Sequence, residues 1–130
     1  MDEGFTILVV EDSALMRSLV RQMLSQATPC TILDAADGVA ALEILRQRGA
    51  DLVLSDWNMQ PMDGLHLLQA MRADPALAEV PFVMMTGEQT PQTIMHAVAA
   101  GVAGFLTKPF GREQLARTVL RIRANRIQAA

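Results

Sequence analysis

Five short apolar runs, at residues 5–10, 31–35, 52–55, 82–85 and 105–107, punctuate the 130-residue chain and constrain its architecture more than any other feature. Each is too short for a helix and has the length of a buried strand. After each comes a stretch whose apolar residues recur at helical spacing. Leu15, Met16, Leu19, Val20, Met23 and Leu24 do so behind Ser13, a good N-cap. Leu42 and Leu45 mark a helix over 39–48, introduced by Asp37-Gly38 and stopped by Gly49. Leu65, Leu68 and Met71 line the next, with Asp63 as its cap and Asp74-Pro75 as its end. Pro91 suits the first turn of a helix over 91–100, and Leu115, Val119 and Ile122 give the core side of one over 112–127. Strand–helix alternation of this kind means βαβ units: an α/β fold, doubly wound, with one five-stranded parallel sheet and helices on both faces. No repeat, linker or low-complexity segment interrupts it, so one domain over 1–130, with no output domain, is expected.

Composition narrows the class. With 51% hydrophobic and 19% charged residues the chain is globular. A net charge of −3 disfavours a nucleic-acid binder, so no direct DNA binding is expected. The lone Cys30 excludes an internal disulfide and suits a reducing cytoplasm. Met1-Asp2-Glu3-Gly4 is acidic where a secretory signal is basic, and no apolar run reaches spanning length, so no membrane insertion is expected.

The chemistry collects where the strands end. The first run delivers Glu11 and Asp12, the third Asp56, the fourth Thr86 and the fifth Lys108. Singly, each has a plain reading: Asp56 as a turn former, the acid pair as favourable charges at a helix N-terminus. In a parallel sheet, however, these ends share one rim, the rim where α/β folds bind ligands. Three carboxylates there repel and demand a cation, and an all-oxygen set suits Mg²⁺. A lysine ammonium and a threonine hydroxyl match the free oxygens of a phosphoryl group, and Gly87 admits a close backbone approach. Ten of the eleven basic residues are arginine, and the single lysine is Lys108. The set fits a phosphoryl group held on or beside a carboxylate with Mg²⁺ bridging.

The run of Glu11-Asp12, Ser55-Asp56-Trp57-Asn58-Met59, Met62-Asp63-Gly64, Thr86-Gly87-Glu88 and Lys108-Pro109-Phe110 resembles the receiver domain of two-component response regulators over the whole chain. The closest form is the single-domain chemotaxis regulator of the CheY type. That resemblance implies a flavodoxin-like sheet of order 2-1-3-4-5. It implies Asp56 as acceptor of a phosphoryl group from a histidine kinase or phosphotransfer protein. Asp12, Asp56 and the Asn58 carbonyl would hold Mg²⁺, with Glu11 assisting. Lys108, set by a cis bond to Pro109, would pair with Asp56 and then with the phosphoryl group. Thr86 would move toward that group and Phe105 would turn inward behind it. Asn58 and Glu88 would tune hydrolysis. The readout face would comprise the fourth helix, fifth strand and fifth helix, with the flagellar switch as a partner. The domain would signal rather than act as an enzyme, assisting only its own phosphorylation and dephosphorylation.

Two departures bear on output. Position 105 is phenylalanine where tyrosine is typical, and the lysines expected on the motor-binding face are replaced by Pro91, Gln92 and neighbours. A phosphorelay shuttle therefore competes with a motility regulator. Of the last helix's Arg117, Arg121, Arg123 and Arg126, the first two share a polar face and the others project elsewhere; a solvated face is the reading, with a cyclic dinucleotide as the alternative ligand. A haloacid-dehalogenase-like phosphohydrolase would need an aspartate two residues beyond its nucleophile, where Asn58 stands. The intact set of Asp12, Asp56, Thr86 and Lys108 argues against a receiver that never takes phosphate. His66 and His96 lack ligand spacing, and Met84 and Met85 read as core.

Overall fold

The computed structural model describes residues 4–87 and 90–129, with side chains of the last helix described through Arg126. The elements alternate strictly: β1 (Thr6–Val10), α1 (Ala14–Ala27), β2 (Thr31–Ala35), α2 (Gly38–Arg48), β3 (Leu52–Asp56), α3 (Gly64–Ala73), β4 (Phe82–Thr86), α4 (Pro91–Ala100), β5 (Gly104–Thr107) and α5 (Arg112–Ala129). The strands form one parallel sheet in the order β2-β1-β3-β4-β5. The order reverses between β1 and β3, which places the ligand-binding crevice beyond the carboxyl ends of those two strands.

Strand side chains alternate between two cores. Leu8, Val10, Val53, Phe82 and Met84 pack beneath α2, α3 and α4, against Leu42, Leu45, Leu67, Leu68, Met71 and Ala97. Ile7, Val9, Leu52, Leu54, Val83 and Met85 pack beneath α1 and α5, against Val20, Leu24, Leu115, Val119 and Ile122. Because both faces are covered, the central strands read as continuous apolar runs rather than alternating ones. Every residue of β3 and β4 is buried.

Local signals set the helix ends. Ser13, Asp63 and Thr90 accept from the amides of Met16, His66 and Thr93, three residues on in each case. Gly101 closes α4 in the left-handed region at φ 92°. One helix differs from its periodicity. α1 buries only Val20 and Leu24, with Met16 and Met23 flanking, and leaves Leu15 72% and Leu19 41% exposed. Both lie around the helix from that stripe, so the apolar set is wider than the face the sheet covers.

Candidate functional site

Glu11, Asp56, Thr86 and Lys108 each lie at, or one position beyond, the end of a strand, with Asp12 one residue further on, and the backbone ladder continues outward beside them. Glu11 N–H donates to the Ala35 carbonyl at 3.0 Å, Trp57 N–H to Met85 at 3.0 Å and Lys108 N–H to Thr86 at 2.8 Å. Thr86 itself ends β4 with no exposed surface. Gly64 is required beside Asp56, since a Cβ there would lie 2.5 Å from the Asp56 carbonyl oxygen. Only glycine lets α3 begin so near the end of β3.

The side chains meet above these anchors. Lys108 Nζ donates to Glu11 Oε2 at 2.9 Å and lies 3.3 Å from Asp56 Oδ1. Glu11 and Asp56 are buried, while Asp12 is exposed. One oxygen from each of Glu11, Asp12 and Asp56 lies within 4.8 Å of the others. Burial pushes the Glu11 carboxyl above its ordinary value; the Lys108 hydrogen bond draws it down and the Asp56 charge pushes it up again. Burial alone would lower the Lys108 ammonium, but the Glu11 hydrogen bond and the Asp56 charge outweigh it and leave it raised. Three carboxylates against one ammonium leave an excess of negative charge. All donors are oxygen and Asp12 is open to solvent, so the cluster fits a hydrated divalent cation.

Around the cluster, Asn58 N–H donates weakly to Asp56 Oδ1 at 3.4 Å, and its side chain is exposed. The Lys108–Pro109 bond is cis. Gln60–Pro61 is cis too, in a segment the sequence marks only as a loop. Phe105 is half-buried and packs against the core under α4. Glu88 lies outside the described residues. His66 bonds Asp63 at 2.6 Å on the surface, remote in role from the acid cluster.

Arginine has a larger structural part than its pattern conveys. On α5, Arg121 donates to the Ala103 carbonyl at 3.2 Å. Arg123 donates to Thr28 Oγ1 at 2.9 Å and lies 4.8 Å over the Phe5 ring. Arg126 meets Asp51 at 3.1 Å. Three of the four arginines of this helix therefore bind the fold itself, Arg121 of the expected solvated face among them. Arg17 was not singled out by its spacing either, yet its Nη1 donates to the Glu11 carbonyl at 2.6 Å.

Comparison with known proteins agrees with this geometry. Residues 7–120 match the response regulator receiver domain. The chain is 37% identical over 110 residues to chemotaxis protein CheY-3 of Vibrio cholerae, covering 85% of each chain. It is 36% identical over 116 residues to chemotaxis protein CheY of Pseudomonas aeruginosa, covering 89% of this chain and 94% of that one. Among solved structures, chemotaxis protein CheY4 of Vibrio cholerae superposes with a TM-score of 0.85 at 33% identity, covering 91% of this chain and 98% of the other. The chain belongs to the response regulator receiver domain family.

Proposed function

We propose that the protein is a phosphorylation-switched signalling module of chemotaxis or motility, whose Asp56 accepts a phosphoryl group from a histidine kinase or phosphotransfer protein. The observation that carries this is the sharing of one lysine: Lys108 Nζ sits between Glu11 Oε2 and Asp56 Oδ1 at 2.9 and 3.3 Å. An Asp56 oxygen attacks the phosphorus of a phosphohistidine; the new O–P bond forms as the P–N bond breaks, and the leaving imidazole nitrogen takes a proton. Lys108, already paired to Asp56, receives a developing negative phosphoryl oxygen. Asp12, Asp56 and the Asn58 carbonyl, with Glu11 assisting, are the groups to hold Mg²⁺. When bound, Mg²⁺ offsets the charge shared by the acceptor and the incoming group.

The switch runs through β4 and β5. Thr86 stands opposite Thr107 in the parallel register, and Met84 opposite Phe105. Movement of the Thr86 hydroxyl toward a phosphoryl oxygen leaves room for the half-buried Phe105 to turn inward. The readout face is α4, β5 and α5. α4 carries no charged residue, and its Met95 and Val98 are 70% and 60% exposed. Asn58 and Glu88 tune hydrolysis. Among the described residues no helix is long and apolar enough to cross a membrane, in keeping with a cytoplasmic role.

The test loads the protein with Mg²⁺ and beryllofluoride, then measures binding of the flagellar switch protein's N-terminal segment. Tighter binding in the loaded form supports a motor regulator in which Phe105 serves where tyrosine is typical. Loading with unchanged binding moves the output to another partner or to a relay. Asp56→Asn should abolish loading; undiminished loading would remove Asp56 from its role.

A further inference from the structure

We infer that Arg17 is a positioning residue for the acid pair: it holds the Glu11–Asp12 peptide so that both carboxylates face the cation site, although its own charge opposes a cation there. The inference rests on the proposed Mg²⁺-assisted phosphoryl transfer.

Glu11 and Asp12 lie in the turn between β1 and α1, and their holds are unequal. The Glu11 side chain is tied to Lys108 and accepts from Ser13 N–H at 3.3 Å. Asp12 is exposed, and its carboxylate meets no hydrogen-bond donor among the described residues. Its direction therefore depends on the backbone before it. That backbone is pinned on both sides: Glu11 N–H reaches the Ala35 carbonyl at 3.0 Å, and the Glu11 carbonyl accepts from Arg17 Nη1 at 2.6 Å. Arg17 is itself fixed by the first backbone bond of α1, to the Ser13 carbonyl at 3.0 Å. With acidic oxygens of Glu11, Asp12 and Asp56 within 4.8 Å of one another, mutual repulsion pushes this turn open. The Arg17 bond resists that opening by stopping rotation of the Glu11–Asp12 peptide.

Charge and position act with opposite signs, which makes the role separable. A nearby guanidinium weakens binding of a cation by Coulomb repulsion. A guanidinium that orients ligands strengthens it. Arg17→Met keeps the aliphatic stem and removes both charge and donor. Were charge the whole effect, the variant would bind Mg²⁺ more tightly.

The experiment titrates MgCl₂ into native protein and variants. Binding is read from the fluorescence of Trp57, the sole tryptophan and the neighbour of Asp56, and confirmed by calorimetry. Thermal unfolding and amide spectra are recorded without metal. Arg17→Met should raise the Mg²⁺ Kd about tenfold, the low end of losses on removing an outer hydrogen bond to a metal site. The Asp12 and Ser13 amide resonances should broaden in the metal-free variant. Arg17→Lys, which keeps the charge with a single shorter donor, should lie between. A folded Arg17→Met with native or tighter affinity overturns the inference. If that variant does not fold, Arg17→Lys carries the test, and native affinity in it overturns the inference likewise. Absence of Mg²⁺ binding by native protein overturns the proposed function and this inference together, whereas native binding with unchanged variants overturns Arg17 alone.

Discussion

At the N-terminal rim of the sheet Asp51 and Arg72 are both fully engaged. Asp51 meets Arg126 at 3.1 Å with one oxygen and accepts Thr6 N–H at 2.8 Å with the other. Arg72 spreads one guanidinium over the carbonyls of Ala78, Val80 and Gly101 at 3.1, 2.9 and 2.9 Å. At the C-terminal rim Glu11 and Asp56 share the single ammonium of Lys108, and the third carboxylate of the cluster, Asp12, faces solvent. Matched charges close the fold and ask for nothing more. The mismatched ones leave an attraction for a cation and, through Lys108, for an anionic group beside it. The contrast singles out the acidic rim as the candidate site without reference to any relative.

The comparison breaks most visibly at Lys108. Lys108→Met should cut labelling by a small phosphodonor about a hundredfold, as removal of one key donor does elsewhere. It should also tighten Mg²⁺ binding, because three carboxylates then face the cation unopposed; weaker binding would mean that Lys108 orders the site rather than balances it. Arg72→Ala should do the reverse. Three carbonyls lose their donor, for about 2 kcal/mol of stability by chemical denaturation, while Mg²⁺ affinity stays native.

A smaller effect lies in pH. The Glu11 carboxyl is raised above 4.5 in the folded protein, so the fold holds that proton more tightly than the unfolded chain does. Stability should therefore fall as pH rises from 4.5 through the folded value, and Glu11→Gln should flatten that part of the curve. The Lys108 ammonium is raised above 10.5, so its contribution persists through neutral pH and is lost only as pH climbs through that higher value. Smallest is Arg126→Ala, about 0.5 kcal/mol for a partly exposed pair, with no change at the acidic rim.

The acidic rim was legible in the sequence because burial and chemistry coincide there. Short apolar runs locate the strand ends, and a parallel sheet brings those ends together whatever the intervening helices do. Asp56, Thr86 and Lys108 could therefore be placed on one edge from order alone. The opposite rim was not legible in this way. Arg72 and Arg126 act on carbonyls and a carboxylate that are distant or arbitrary in sequence, as with Arg72 and Gly101, and backbone acceptors leave no residue signature. The same holds for Arg17 and the Glu11 carbonyl. Leu15 and Leu19 show the complementary limit: helical periodicity marks apolar residues but not how wide a stripe the sheet can cover.

The most direct test of the central claim is the intact mass of native protein and of Asp56→Asn after exposure to acetyl phosphate, with and without Mg²⁺, followed by peptide mapping. Native protein should gain one phosphoryl group, dependent on Mg²⁺, mapped to Asp56 and missing from the variant. Labelling that persists in Asp56→Asn, or none on folded native protein with Mg²⁺ present, would contradict it.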